Sequence, residues 1–430
     1  MNWSRYNFIS QKDDHTYILY NYVDDSIIFL CKELLDIVDK NIHHVDKLAA
    51  IHPDLYRELS NKGFIIDDNI DEKDFVMKKI TDKLNASTTF KLIINPTLNC
   101  NLRCWYCYES HIADSYMNDE TKNAVLKLVS KKLSDPKVEV MDLSFFGGEP
   151  LLRAQKIALP LIYKIKEICD LHNKKFRVHF TSNAVLLNTS IIEALSAVTQ
   201  DISFQIPFDG GKIKHNEVKK TRNAQGTYDK ILTNVLNALK KGFKINIRCN
   251  YNLTNIDSFE ELILDIDRLA SDYKKQITVS LQKIWQTSYS ETLRDKTERI
   301  KQLIKEKEFH CNLIGKGTIS TYCYADYDNT VVVNYNGDIF KCTARDFKSE
   351  LRDGVLTANG TICFTDNYKK RINSRFNADC KNCPILPICT ICSQKKIESR
   401  HISGCPLNIP LEDKKQQIQS RLKALCSEYS

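Results

Sequence analysis

The chain has 430 residues, enough for a large catalytic domain with smaller appendages. Its 42% apolar and 27% charged residues exclude a disordered or membrane-spanning protein, and no apolar run nears the roughly 18 residues of a spanning helix. A net charge of +8, with lysines spread along the chain, hints at an acidic partner but gives no support for a reader of nucleic acid. The first residues lack the charged-then-apolar pattern of a secretory signal, so a cytoplasmic location away from the membrane is expected.

Residues 1–75 combine a hairpin pair, Tyr17–Tyr22 and Ser26–Phe29, with helical stretches near Lys32–Lys40, Val45–Ile51 and Pro53–Lys62 and a β-like Gly63–Ile66. This is the outline of a winged-helix module. Residues 76–90 read as a linker. From 91 to 310, strand-like runs alternate with amphipathic helical stretches. The strands are expected at Lys91–Pro96, Val140–Phe146, Phe176–Thr181, Ile202–Phe208, Lys244–Cys249 and Ile277–Gln282. The helices are expected at Asp119–Lys132, Arg153–His172, Thr189–Ala197, Tyr228–Lys241, Ser258–Ala270 and Ser290–Lys307. Six such units predict an α/β fold, a partial (β/α)6 TIM-like barrel, whose chemistry belongs at the C-terminal strand ends. Residues 311–430 form a cysteine-rich, loop-rich domain of the kind that relies on metal for stability.

Sixteen cysteines are the outlying feature. In a reducing compartment clustered thiols are metal ligands before they are disulfides, whereas the isolated Cys31, Cys169, Cys249 and Cys426 read as packing residues. Cys100, Cys104 and Cys107 follow the first strand in a CxxxCxxC loop. Three thiolates at this spacing can hold one [4Fe–4S] cluster and leave its fourth iron open. Zinc, the alternative, wants a fourth ligand, and His111 is the only local candidate.

The spacing, the strand-end position and the aromatic Tyr106 resemble the radical S-adenosylmethionine (SAM) superfamily. That resemblance implies SAM chelated by the open iron, and a 5′-deoxyadenosyl radical that abstracts a substrate hydrogen. The Gly147-Gly148-Glu149-Pro150 stretch looks like the superfamily's GGEP motif, which holds the SAM amino group. Ser182 and Asn183 lie in a turn similar to the family's TNG, with Ala184 in place of the usual Gly. Asp209, followed by His215-Asn216 and Arg222, matches the SxDG…HD…R stretch in part, with Pro207 where Ser is usual. Arg248 and Asn250, on the fifth strand, point at the same ligand space.

The later cysteines run Cys323-x13-Gly337-x4-Cys342, then Cys380-x2-Cys383-x5-Cys389-x2-Cys392, then Cys405. They resemble the SPASM domain, which carries two auxiliary [4Fe–4S] clusters, although the last gap is one residue short. The resemblance implies one cluster on Cys323, Cys342 and Cys392 and another on Cys380, Cys383, Cys389 and Cys405. Cys311 or Cys363 would complete the first set, or one iron stays open to a substrate thiolate. A zinc ribbon built on the two CxxC pairs is the alternative.

Proteins similar to this one mostly modify peptides. Sulfatase maturases in this group carry Asp where this chain has Thr343, with Asp346 close by. Others mature ribosomally made precursor peptides and grip a leader sequence with an N-terminal winged-helix element, as residues 1–75 suggest. The sequence therefore predicts a peptide maturase with three [4Fe–4S] clusters, SAM, and an external electron donor such as flavodoxin or ferredoxin. An intrapeptide crosslink is expected, thioether first and carbon–carbon or carbon–oxygen next. Formylglycine formation is the alternative, and a non-catalytic iron–sulfur or zinc peptide-binding protein the alternative of another class.

Overall fold

The computed structural model describes residues 1–221, 223–312, 322–399 and 405–427, which fall into two compact units. One comprises Ser87–Gly315 and Asn329–Lys369; the other comprises Met1–Ala86, Lys316–Asp328 and Lys370–Ser430. Among the described residues no helix is long and apolar enough to cross a membrane.

The first unit is the α/β barrel. Its strands are β1 (Thr89–Ile94), β2 (Val140–Phe145), β3 (Lys175–Thr181), β4 (Ile202–Phe208), β5 (Lys244–Tyr251) and β6 (Ile277–Lys283), all parallel and paired in chain order. Each connection carries a helix, as the periodicity requires. One helix is shorter than expected: Pro150–Arg153 and Ala154–Ala158 form tighter and wider turns, and the α-helix begins only at Leu159, where Pro160 sits in the first turn without an N–H to lose.

Two further parallel strands close off the open edges. β7 (His310–Asn312) pairs with β6, and β8 (Thr330–Val333) pairs with β1, from Thr330↔Lys91 to Val333↔Ile94. From β8 the sheet runs on through the antiparallel strands Asp338–Phe340, Gly354–Leu356 and Ile362–Phe364. Part of the expected C-terminal domain therefore belongs to the barrel sheet, because β1 is an edge whose N–H and C=O groups need a partner.

In the second unit the strands Asn7–Gln11, Thr16–Asn21 and Ser26–Cys31 form an antiparallel sheet. The helices Lys32–Asn41, Asp46–Ile51 and Pro53–Asn61 follow, and then Ile65–Ile66 pairs with Asn2–Trp3. The stretch read as a linker is a helix, Glu72–Asn85. Asp71 caps it, and Val76, Ile80 and Leu84 bury one face at four-residue spacing. That face joins Tyr6, Tyr20 and Tyr22 and the C-terminal Cys380, Ile385, Leu386, Ile418 and Leu422 in a single apolar cluster. Tyr22 donates to the Pro384 carbonyl at 2.9 Å, and Arg421 pairs with Asp25 at 2.6 Å. The first 86 residues and the cysteine-rich C-terminal segments thus share one core.

Within the barrel, residues alternate across each strand. Leu92, Leu143, Phe145, Phe180, Phe204 and Ile247 point outward into the apolar core beneath the helices, where Phe145, Phe180 and Phe204 stack at 4.8 and 4.9 Å. The other face is polar. At its N-terminal end Lys91 pairs with Asp142 at 2.8 Å and His179 Nδ1 lies 2.9 Å from Ser203 Oγ. Burial, helped by the Lys91 ammonium and opposed by Asp142, pushes the His179 imidazole down to about 4. His179 is thus neutral in the folded barrel and gains a proton on unfolding. Its contribution is intact above an unfolded-state value of 6.5 and is lost as pH falls towards about 4, by on the order of 2 kcal/mol. His179→Asn is expected to flatten the fall in melting temperature across that window; an unchanged slope would contradict the assignment.

Candidate active site

The site begins where β1 and β2 end side by side. Ile94 and Phe145 are the last paired residues, so the turn after β2 meets the loop after β1. That loop is tied at both margins: Leu98 N donates to Ser115 Oγ at 2.8 Å, Asn99 Nδ2 to the Ala113 carbonyl at 3.0 Å, and Met117 N to the Pro96 carbonyl at 3.0 Å. The β2 turn lies flat against it. Gly148 N donates to the Thr97 carbonyl and Glu149 N to the Asn99 carbonyl, at 3.2 and 2.9 Å. Gly147 has a φ of +97°, and a Cβ on Gly148 would lie 2.3 Å from the Asn99 carbonyl oxygen. Both positions exclude any side chain.

One cavity at these strand ends is lined by Cys100, Cys104, Cys107, Tyr106, Gly147, Gly148, Ser182, Asn183, Pro207, Lys219 and Asn250, with Glu109 and His111 on its wall. Of the expected cofactor residues, Tyr106, Gly147, Gly148, Ser182 and Asn183 line this cavity, whereas Glu149, Pro150, Asp209 and Arg248 do not. Glu149 is buried and is not part of the cavity lining. Its carboxylate accepts from Leu151 N and Ser182 Oγ, and from Asn183 N, at 2.9, 2.8 and 2.8 Å. Burial pushes it up to about 7, against the pull of these bonds. Glu149 joins the ends of β2 and β3, Pro150 starts the short turn after it, and the backbone of Gly147 and Gly148 is what faces the cavity.

Asn183 Nδ2 donates to Asn101 Oδ1 at 2.8 Å and lies 3.8 Å from Cys100 Sγ. Ala184 holds a φ of +58°, the left-handed conformation that explains why Gly is the usual residue here. His215 and Asn216 are structural: His215 packs on Phe208 and Tyr228, and Asn216 Oδ1 accepts from the backbone N–H groups of Thr227 and Tyr228 at 2.8 and 3.0 Å. Arg248 Nε donates to Asn250 Oδ1 at 3.0 Å, which places Arg248 behind Asn250. Arg222 lies outside the described residues.

Two residues of the site were not anticipated. Lys219, only 3% exposed, pairs with the fully buried Asp209 at 3.1 Å. Burial disfavours its charge, but Asp209, Cys104 and Tyr106 outweigh that and hold it well above the ordinary lysine range. It stands four residues after His215, one helical turn on, and that spacing was the available signal. Glu109 has a buried carboxylate oxygen, and burial together with the neighbouring Asp346 raises it to about 8. No pattern in the sequence marks it.

The donor set fits a [4Fe–4S] cluster. The thiols of Cys100, Cys104 and Cys107 line one cavity, which among the described residues supplies three sulfur donors and no fourth. His111 Nε2 is 3.6 Å from Cys107 Sγ.

Of the later cysteines, Cys311, Cys342 and Cys363 belong to the barrel unit and the other six to the second unit. Cys311 packs against the barrel core near Cys249. Cys363 is exposed on its strand. In the second unit Cys323 and Cys392 are in mutual hydrogen-bonding contact, which raises the first thiol and lowers the second to about 6. Cys380 and Cys383 lie near enough to Cys389 to raise it further, beyond the effect of burial. Cys405 is half-buried.

A partial barrel with three cavity-facing thiols after its first strand defines a class of enzyme that starts radical chemistry from an iron–sulfur cluster. Residues 94–269 match the model of the Radical SAM superfamily, and the chain carries a radical SAM domain. It is 24% identical to the cysteine-type anaerobic sulfatase-maturating enzyme of Clostridium novyi, over 78% of this chain and 96% of that one. The fold is shared with two solved proteins. The first is anSMEcpe with bound AdoMet and Cp18Cys peptide, with a TM-score of 0.58, 18% identity and coverage of 80% of this chain and 100% of that one. The second is Streptococcus suis SuiB bound to precursor peptide SuiA, with a TM-score of 0.52, 17% identity and coverage of 94% and 98%.

Gly148→Ala forces its Cβ into the Asn99 carbonyl and is expected to cost about 1–3 kcal/mol of stability in the metal-free protein. It should also lower the iron retained by the Cys100 loop, as read by thermal unfolding and iron assay.

Proposed function

We propose that this protein is a radical SAM peptide maturase that installs an intrapeptide crosslink in a ribosomally made precursor. One observation carries the reading: the three cysteine thiols, the Gly147-Gly148 turn, Asn183 and Asn250 all face a single cavity at the C-terminal strand ends. When bound, a [4Fe–4S] cluster with SAM supplies reductive cleavage of a carbon–sulfur bond and a 5′-deoxyadenosyl radical that takes a hydrogen atom from substrate. Cys100, Cys104 and Cys107 hold the cluster. The backbone of Gly147 and Gly148, with Ser182 and Asn183, forms the wall for the polar end of SAM, and Arg248 orients Asn250 towards the same space.

Peptide as substrate is supported by two surfaces. Beside the cluster loop, Trp105 and Trp285 are exposed, and Tyr108 stacks on Trp285 at 5.6 Å, offering apolar area to an extended chain. In the second unit the sheet of Thr16–Asn21 and its neighbours has Asn7–Gln11 and Ser26–Cys31 as edges, where a leader peptide would add as a strand. SuiB, whose fold this chain shares, is solved bound to a precursor peptide. The cysteines of the second unit would hold auxiliary iron–sulfur clusters, and an external flavodoxin or ferredoxin would supply the electron. Reduced thiolates fit a cytoplasmic setting. A thioether would form with one hydrogen atom passing from carbon to the 5′-deoxyadenosyl radical, the thiol proton to a base or solvent, and one electron to an iron–sulfur cluster held by the chain's cysteines, two hydrogens lost from the peptide in all.

Formylglycine formation is the second reading, favoured by the near-complete coverage of the Clostridium novyi enzyme. The carboxylate nearest to serving as its base is otherwise engaged: Asp346 accepts from Ser110 N and Ser110 Oγ at 2.9 and 2.7 Å and from Phe347 N at 3.0 Å.

Changing Cys100, Cys104 and Cys107 together to Ala is expected to abolish dithionite-driven SAM cleavage while iron remains on the other cysteines; retained cleavage would sink the assignment. Co-expression with short peptides encoded beside the gene should give products two hydrogens lighter per crosslink by mass spectrometry. An oxidised serine or cysteine in a sulfatase would instead establish the second reading.

A further inference from the structure

We propose that Lys219 is a positioning residue for the cluster, whose ammonium donates to Cys104 Sγ and raises the reduction potential of the iron–sulfur centre held there. The inference rests on the reading that Cys100, Cys104 and Cys107 hold a [4Fe–4S] cluster.

An ammonium has three N–H donors. Here three acceptors surround Lys219 Nζ: Asp209 Oδ2 at 3.1 Å, the Tyr106 hydroxyl oxygen at 3.2 Å and Cys104 Sγ at 3.5 Å. Asn250 Nδ2 also donates to the Tyr106 hydroxyl, at 3.0 Å, and Gln286 Nε2 to the Tyr106 carbonyl, at 2.7 Å. The Cys104–Tyr106 segment is thereby pinned to the ends of β4, β5 and β6. Cys100 takes Leu102 N at 3.4 Å and lies 3.8 Å from the Asn183 amide, and Cys107 faces His111 at 3.6 Å.

Reduction adds one negative charge to the cluster and its sulfurs. A desolvated cationic donor on one of those sulfurs stabilises the reduced form more than the oxidised form, so the potential rises. Asp209 pairs with the ammonium at 3.1 Å as its buried counter-ion.

The test compares the anaerobically reconstituted full chain with Lys219→Met and Lys219→Arg by EPR-monitored redox titration without SAM. The relevant signal is identified by its loss in the triple Cys→Ala variant, and iron and sulfide are counted in each sample. At a fixed poise Lys219→Met is expected to show about a tenfold lower ratio of reduced to oxidised cluster, about 59 mV for a one-electron couple. Lys219→Arg should stay within about threefold of the parent, since a guanidinium also donates with full charge. An unchanged potential in Lys219→Met overturns the proposal, including the case in which only SAM affinity falls. Should Lys219→Met not load, Lys219→Gln is titrated in its place by the same criterion. Loading that only Arg restores supports the cation–thiolate contact, whereas loss of loading in all three overturns it. A parent protein with no iron on these thiols defeats the cluster reading instead, a result the iron count separates from the potential.

Discussion

The site depends on one backbone contact. Because β1 and β2 are paired in register to their last residues, the turn that follows β2 has nowhere to go but onto the loop that follows β1, and it fits there only without side chains. Gly147 and Gly148 meet that demand, and the N–H groups of Gly148 and Glu149 close onto the carbonyls of Thr97 and Asn99. Cys100 follows immediately. The loop's thiols are thus aimed by main-chain hydrogen bonds, which do not depend on rotamers and hold position when ligands come and go. Glu149 extends the same constraint to β3 by accepting from Ser182 and Asn183, so three strand ends are locked before any cofactor is bound.

The barrel's two faces explain why such a polar site is tolerated in a well-packed domain. Stacked phenylalanines and branched aliphatics on the outer face supply the stability, leaving the inner face to Asp142, His179, Gln205, Asn246, Arg248 and Ser280. Gln205 and Asn246 meet across β4 and β5 at 3.5 Å, and Ser280 donates to Asn246, so the wall satisfies itself laterally. The Asp209–Lys219 pair is the extreme case, two charges removed from water, with Lys219 also reaching Tyr106 and Cys104 while the Asp209 carboxylate oxygens have no further hydrogen-bond partner among the described residues.

Much of this was legible in the sequence. The strands stood out because alternation and β-branched runs are local signals, and all six fall within two residues of the observed ends. The cysteine loop and Gly147-Gly148 were legible for the same reason: their chemistry is fixed by spacing. What escaped notice depends on distant partners. Nothing in TVVV says that Thr330–Val333 will pair with β1, and the helix at Glu72–Asn85 resembled a linker because its apolar face is narrow and its cover lies some three hundred residues away. Lys219 escaped notice for a similar reason: only its burial against Asp209, a matter of tertiary structure, sets it apart from the other lysines.

The shared core of the second unit has a consequence for synthesis. Tyr6, Ile18, Tyr20 and Tyr22 leave the ribosome before the barrel, but part of what covers them, Cys380, Ile385, Leu386, Ile418 and Leu422, leaves after it. The whole barrel is made in between. While the barrel is being made, then, the sheet of Thr16–Asn21 lacks part of its cover, and its completion is a long-range event that needs residues synthesised after the barrel. A nascent chain of this kind has reason to need a chaperone at its N-terminus, and a ribosome that stalls before residue 380 leaves a finished barrel joined to an unfinished module.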